Sequence, residues 1–215
     1  MTTTTNNGHG SSNAGGFETM TLRSFLDVLA AKAPTPGGGA AASVVGAVAA
    51  SLAGMVVNYS LGKKALSQHQ VTLEDAIKRL HNASDLMLKL ADEDAAAYGA
   101  VNELSKLPEN DARRVKELPP AQAASGQIPL AVMAACVDLL MLMDELSTIT
   151  NKQLRSDLGI AAVAAEGAGR SSWWNVYINA SFLEDEATKR AWMIEADAMK
   201  AKCVQIAEKV EMACR

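Results

Sequence analysis

The sequence predicts an all-α fold: a helical bundle built around one long, buried helix of small residues. Three observations carry this. Nearly half the residues are apolar (49%), yet aromatics make up only 4% and alanine dominates. Alanine is the strongest helix former and occupies little volume, so helices rich in it pack closely. The run from Ala40 to Val57 holds no charged residue. After Thr72, apolar residues recur at steps of three and four, which is the period of a helix with one face on a core.

Taken in order, residues 1–18 are expected to form a disordered tail and 19–215 a single helical domain. The start is Thr, Asn, Gly and Ser with His9, too polar to bury itself and unlike a signal peptide. Thr21 can cap a short helix with Leu22, Phe25, Leu26 and Leu29 on one face. The Ala33-Pro34-Thr35-Pro36-Gly37-Gly38-Gly39 segment ends it, and the small-residue helix follows to about Tyr59. Its uncharged run is long enough to raise the question of a membrane span. With mostly Ala, Gly, Ser and Val, and no second span in the chain, it reads instead as a buried helix. Gly62-Lys63-Lys64 marks its end with a helix stop and cations suited to the negative end of the dipole.

Thr72, with Asp75 three residues on, opens a helix expected to reach Lys106, where Leu107-Pro108 stops it. Asn110 to Gly126 is polar and contains Pro119-Pro120, so it reads as a loop or broken helix. A helix from Pro129 to Leu146 would carry its proline in the first turn, and another covers Asp157 to Gly169. Trp173 to Asn179 is aromatic and β-branched and looks, by itself, like a strand. The last helix spans about Asp185 to Met212.

Charge and cysteine usage narrow the function. The net charge is −4 and no basic patch is visible, which argues against nucleic acid. Cys136, Cys203 and Cys214 are odd in number and irregular in spacing, which argues against a disulfide framework and fits a reducing, cytoplasmic setting. His9, His69 and His81 have no metal-ligand spacing, so no metal site is expected.

One residue stands out by pattern. Ile77, Leu80, Ser84, Met87, Ala91, Asp94, Tyr98 and Val101 form one seam, and Asp94 lies within it, while Asp92 and Glu93 turn to the flanks or solvent. A carboxylate on a core-facing stripe must be paired or hydrogen-bonded, and burial raises its pKa into a range useful for proton transfer. A structural Asp bonded to a neighbouring helix end satisfies the pattern equally well. Consecutive glycines at Gly37, Gly38 and Gly39, after Pro36, leave backbone N–H groups free for an anion or a polar ring edge. A plain tight turn is the alternative, and the block lacks the lysine and spacing of a P-loop. Lys63 and Lys64 could hold a ligand carboxylate or simply cap a helix. Asp157 could act in a site or complement a helix dipole.

The ordered set of segments resembles the cyclodeaminase/cyclohydrolase family. The matching pieces are Ser24-Phe25-Leu26, Ala33 through Ala42, Met55-Val56, Gly62-Lys63-Lys64, Asp94-Ala95-Ala96-Ala97-Tyr98, Leu107-Pro108, Ser156-Asp157-Leu158 and Asn175-Val176-Tyr177-Ile178-Asn179. The resemblance implies an all-helical homodimer, with no metal or bound cofactor, acting on a one-carbon unit carried by tetrahydrofolate. It implies hydrolysis of 5,10-methenyltetrahydrofolate, or else ammonia release from 5-formimidoyltetrahydrofolate. A folate-binding dimer without catalysis is the remaining alternative. It assigns Asp94 the catalytic role, with Asp157, Lys63 and Asn175 in the pocket. Two departures are visible: where the family commonly has a helix rich in Glu, Lys and Arg, Asn110–Gly126 is short of such residues after Glu117 and carries Pro119-Pro120, and Thr150-Asn151-Lys152-Gln153 replaces a Gly-Asn pair.

Overall fold

The computed structural model describes residues 16–215. Six α-helices run in sequence: α1 (Leu22–Leu29), α2 (Gly38–Asn58), α3 (Gln70–Ser105), α4 (Ala112–Leu146), α5 (Arg155–Ser181) and α6 (Glu186–Cys214). Short 3-10 turns cover Phe17–Thr19, Lys64–His69 and Lys152–Leu154. No strand occurs among the described residues. Of the tail expected over 1–18, residues 1–15 lie outside the described part. Phe17 is held on α3, where its N–H donates to Asp92 Oδ1 at 2.8 Å. Asp92 is therefore a docking point for the N-terminal turn rather than a solvated flank.

The long helices run up and down. α2 packs between α3 and α5, α4 closes the bundle by packing on both α3 and α5, and α6 lies against α4 and α5. Alanine allows this closeness. Ala40, Ala49, Ala50 and Ala53 of α2 have no exposed surface, nor do Ala161, Ala162, Ala165 and Ala168 of α5. Larger side chains fill the remaining space, with Leu80, Met87, Leu140, Met143 and Leu146 almost wholly buried. Truncating one of these to alanine costs about 2–5 kcal/mol. Buried hydroxyls are satisfied locally: Ser43 Oγ donates to the Gly39 carbonyl (3.0 Å) and Ser60 Oγ to that of Val56 (2.7 Å). Ser60 Oγ also accepts the Asn151 N–H (2.8 Å), which ties the end of α2 to the approach to α5.

Several expected boundaries change. α3 begins at Gln70 with no side-chain cap, so Thr72 lies inside the helix. The stretch read as a loop or broken helix is the first part of a continuous α4, capped by Asp111, whose carboxylate accepts from the N–H groups of Arg113 and Arg114. Pro119, Pro120 and Pro129 all lie inside this helix. Each removes one donor, and the carbonyls so freed are those of Val115, Lys116 and Ser125. Val115 and Lys116 are on an exposed stretch where water replaces the bond. Ser125 is served by a side chain of α5, described below. Trp173 to Asn179 is helical, not a strand. Val176 and Ala180 pack with Leu130, Met133 and Trp192 into a second core cluster, and that burial overrides the β-preference of the residues. Trp173 stacks on Tyr177 and donates from Nε1 to Asp197 Oδ1 (2.7 Å), which clamps α5 to α6.

Two helices, α2 and α4, are long and apolar enough to cross a membrane by length and composition, where the sequence suggested only one. In each, more than half of the apolar window is buried in the bundle. α2 nevertheless keeps one outer stripe uncovered. Val45 and Val48 on that stripe, with Ile160 and Val163 on the adjacent α5, are exposed, and the stripe on α2 carries no charge.

Candidate active site

The site lies at the end of the bundle where α2 begins. Thr21 caps α1, and the chain then passes through a cis Thr35–Pro36 peptide into the glycine turn that starts α2. The N-cap of α2 is Gly37, which has no side chain with which to cap the first-turn N–H groups. The Asp94 carboxylate, arriving from α3, takes that place and accepts the Ala40 N–H. Gly39 makes the approach possible: a Cβ there would fall on the Asp94 carboxyl group.

Asp94 is partly buried, and the loss of water around it raises its pKa above the ordinary carboxylate value, while the Ala40 N–H opposes that shift by stabilising the anion. Desolvation is the larger effect. Both roles considered from the sequence therefore coexist: the side chain caps a neighbouring helix and remains a carboxylate poised for proton exchange.

Asp94 faces a cavity of about 420 Å³ lined by the Pro34–Gly39 approach, Tyr98 and Val101 of α3, Gln122 and Ser125 of α4, and Asn175, Ile178, Asn179 and Phe182 from the end of α5. Ligand clefts run from about 300 to 1,000 Å³, so this one has room for a compact group rather than a long extended molecule. Apolar walls from Val101, Ile178 and Phe182 face an array of amides from Gln122, Asn175 and Asn179. Asn179 Nδ2 donates to the Ser125 carbonyl at a long 3.5 Å, the carbonyl that Pro129 leaves free. Ser125 Oγ in turn donates to the Gln122 carbonyl (2.9 Å). The proline thus turns a backbone acceptor toward the cavity and α5 ties it down.

Of the residues singled out in the sequence, the fold brings Gly37, Gly38, Gly39, Asp94 and Asn175 together, and Pro36 is buried just behind the turn. It does not bring Lys63, Lys64 or Asp157 to this cavity within one chain. Lys63 and Lys64 follow α2 at its other end, and a 21-residue helix is about 30 Å long. Asp157 lies in the first turn of α5, with Asn175 far along the same helix. Trp173 and Trp174 line no part of the cavity; Trp173 packs on α6 and Trp174 is 65% exposed. Among the described residues, no three His, Cys, Asp or Glu side chains cluster as metal ligands.

Gln122, Ser125, Asn179 and Phe182 were not anticipated as site residues. Asn175, Ile178, Asn179 and Phe182 have the i, i+3, i+4, i+7 spacing of one helical face, a signal hidden by reading the segment as a strand. Gln122 and Ser125 are likewise three apart and were hidden by reading a loop or broken helix.

The formiminotransferase-cyclodeaminase family profile matches residues 21–198. The chain is 31% identical over 194 residues to a methenyltetrahydrofolate cyclohydrolase from Methylorubrum extorquens, covering 88% of this chain and 93% of that one. It is 32% identical over 172 residues to the mouse formimidoyltransferase-cyclodeaminase, covering 78% of this chain but 32% of that longer protein. The fold superposes on the crystal structure of a formiminotetrahydrofolate cyclodeaminase from Thermotoga maritima with a TM-score of 0.85 and 30% identity, over 91% of this chain and 96% of the other. A shared profile, a near full-length relative and a shared fold together make this chain a member of the formiminotransferase-cyclodeaminase family.

Proposed function

We propose that this protein hydrolyses 5,10-methenyltetrahydrofolate to 10-formyltetrahydrofolate. The observation that carries the reading is the Asp94 carboxylate, raised in pKa and facing a ring-sized cavity, in a chain similar over nearly its whole length to a cyclohydrolase. The reacting carbon of the substrate belongs to an amidinium cation bridging N5 and N10. Asp94 favours that cation and takes a proton as water adds to the carbon. The C–N5 bond then breaks as the proton passes from Asp94 to N5, and the hydroxyl of the adduct loses its proton to solvent as the C=O forms, which leaves the formyl group on N10 and releases one proton overall. Asn175, Asn179 and Gln122 supply donors and acceptors for the pterin edge, and Tyr98 and Phe182 supply flat surfaces beside it.

The reaction as written uses water and the folate alone, and in this reading the enzyme works in the cytoplasm without a bound cofactor. It acts as a homodimer through the uncovered apolar stripe of α2 and α5. Similarity to a cyclodeaminase of the same fold supports a second reading, in which the pocket sets N10 against a formimidoyl carbon on N5 and ammonia leaves.

The test follows the absorbance of methenyltetrahydrofolate with the wild-type protein, with Asp94→Asn and with buffer alone. Decay accelerated by the wild type only is expected. Decay no faster than buffer would reject the cyclohydrolase, and ammonia release from formimidoyltetrahydrofolate would then decide the second reading. Folate binding without either turnover would identify a non-catalytic binder.

A further inference from the structure

One polar contact fastens the segment before α2 to the rest of the bundle. Phe17 donates its N–H to Asp92 Oδ1 on α3 at 2.8 Å. Among the described residues, no hydrogen bond or ion pair joins residues 18–36 to α2, α3, α4, α5 or α6. The bonds those residues make are local, such as Thr21 with Ser24 and Arg23 with Asp27.

Packing holds the segment almost as lightly. Phe25 is the buried residue of α1, and no side chain of α1 belongs to either core cluster. The Phe25 ring meets that of Phe17 edge to face, with 5.6 Å between centroids and 80° between planes. α1 therefore leans on the same turn that Asp92 holds. A helix of 8 residues does not persist in water by itself. Gly16 is fitted to this contact: its φ is +64°, and a Cβ there would fall on the Asp92 carboxyl group.

The other end of the segment is cavity wall. Pro34 and Thr35 line the cavity, and Pro36 behind them is buried. The chain from Phe17 to Pro36 is thus pinned at its two ends and free between them. Asp92 stands two residues before Asp94, so a single turn of α3 carries both the outer pin and the carboxylate of the site.

We propose that residues 17–35 form a strap that lifts to admit the folate and closes beside it, with Asp92 as its latch. Closed, the strap completes the wall against which the ring is set relative to Asp94. Lifted, it widens the mouth, and α1 unwinds. Asp92 is in this sense a positioning residue: it acts through the strap and does not touch the substrate. The ligand rests on the folate reading; the latch rests on the contacts of Gly16, Phe17, Phe25 and Asp92 alone.

Two measurements separate these. The first uses no folate. Arg23 lies inside α1 and becomes a trypsin site when that helix unwinds, whereas Lys106, in the turn after α3, serves as a reference in the same digest. Cleavage of a transiently opened segment follows the population of the open form. Asp92→Ala removes a charged acceptor, and cleavage at Arg23 relative to Lys106 should rise about tenfold. Gly16→Ala disturbs the latch from the other side and should act in the same direction. Asp92→Asn keeps an oxygen for the Phe17 N–H and should stay near wild type. An unchanged ratio in both alanine variants would overturn the latch, and so would equal acceleration at both sites, the mark of general loosening. The second follows methenyltetrahydrofolate. If the substrate needs the closed strap, KM in Asp92→Ala rises by about the factor seen in cleavage, because saturating substrate restores closure, and kcat stays within about twofold. An unchanged KM beside faster Arg23 cleavage would overturn the strap as part of the site. Faster Arg23 cleavage in the variants of a protein whose wild type turns over no folate would uphold the latch and reject the folate reading instead.

Discussion

The Asp94 carboxyl group occupies the place where a β-carbon on residue 39 would be. This makes Gly39 a packing requirement of the site rather than only a flexible turn residue. Gly39→Ala should lower stability by about 1–3 kcal/mol through overpacking and should displace Asp94 enough to depress turnover. Chemical denaturation and the methenyltetrahydrofolate assay check this together. A variant with full stability and full activity would show that the turn does not press on the carboxylate in solution.

Asp94 sets opposite demands on stability and activity. Its folded pKa is raised, so the folded state holds extra protons between the unfolded value, about 3.9, and the folded one. Stability from this group therefore falls as pH rises through that window, and above it the buried charge opposes folding in full. Asp94→Asn should be more stable than wild type at neutral pH, with the difference closing as pH drops toward the unfolded value. Thermal unfolding at several pH values reads this.

The base is active only when ionised. Wild-type kcat/KM should fall as pH decreases through a pKa above the ordinary carboxylate range, and Asp94→Asn should lose about 10²–10⁴-fold at neutral pH. A wild-type pH profile flat down to the usual carboxylate pKa would argue that Asp94 only caps α2.

The prolines of α4 test the fold itself. Pro119 and Pro120 lie on an exposed part of a continuous helix. Restoring one N–H with Pro120→Ala should stabilise the protein by about 1–3 kcal/mol, the direction set by the helix penalty of proline. In a loop, the same change would be neutral or destabilising, because proline restricts the unfolded chain. Urea midpoints distinguish the two.

Asp94 was legible because its burial follows from local period: the seam residues share one face of one helix, whatever that helix meets. The alanine-rich α2 and the glycine turn were legible for the same kind of reason, since composition and backbone freedom act within a few residues. The amide array was not. Asn179 shares a face with Asn175 only if residues 173–181 are helical, and burial of Val176 and Ala180 against Trp192 and Leu130 decides that. Ser125 offers its carbonyl only because Pro129 lies four residues on in a helix that the sequence read as broken.

Helix class, the seam and the carboxylate set within it thus follow from local chemistry, which acts over one or two turns of chain. The separation of Lys63, Lys64 and Asp157 from the cavity they were expected to share does not. It is set by the rise of α2 and α5, which carries residues of one motif set to opposite ends of the bundle, and by antiparallel packing that returns only some of them.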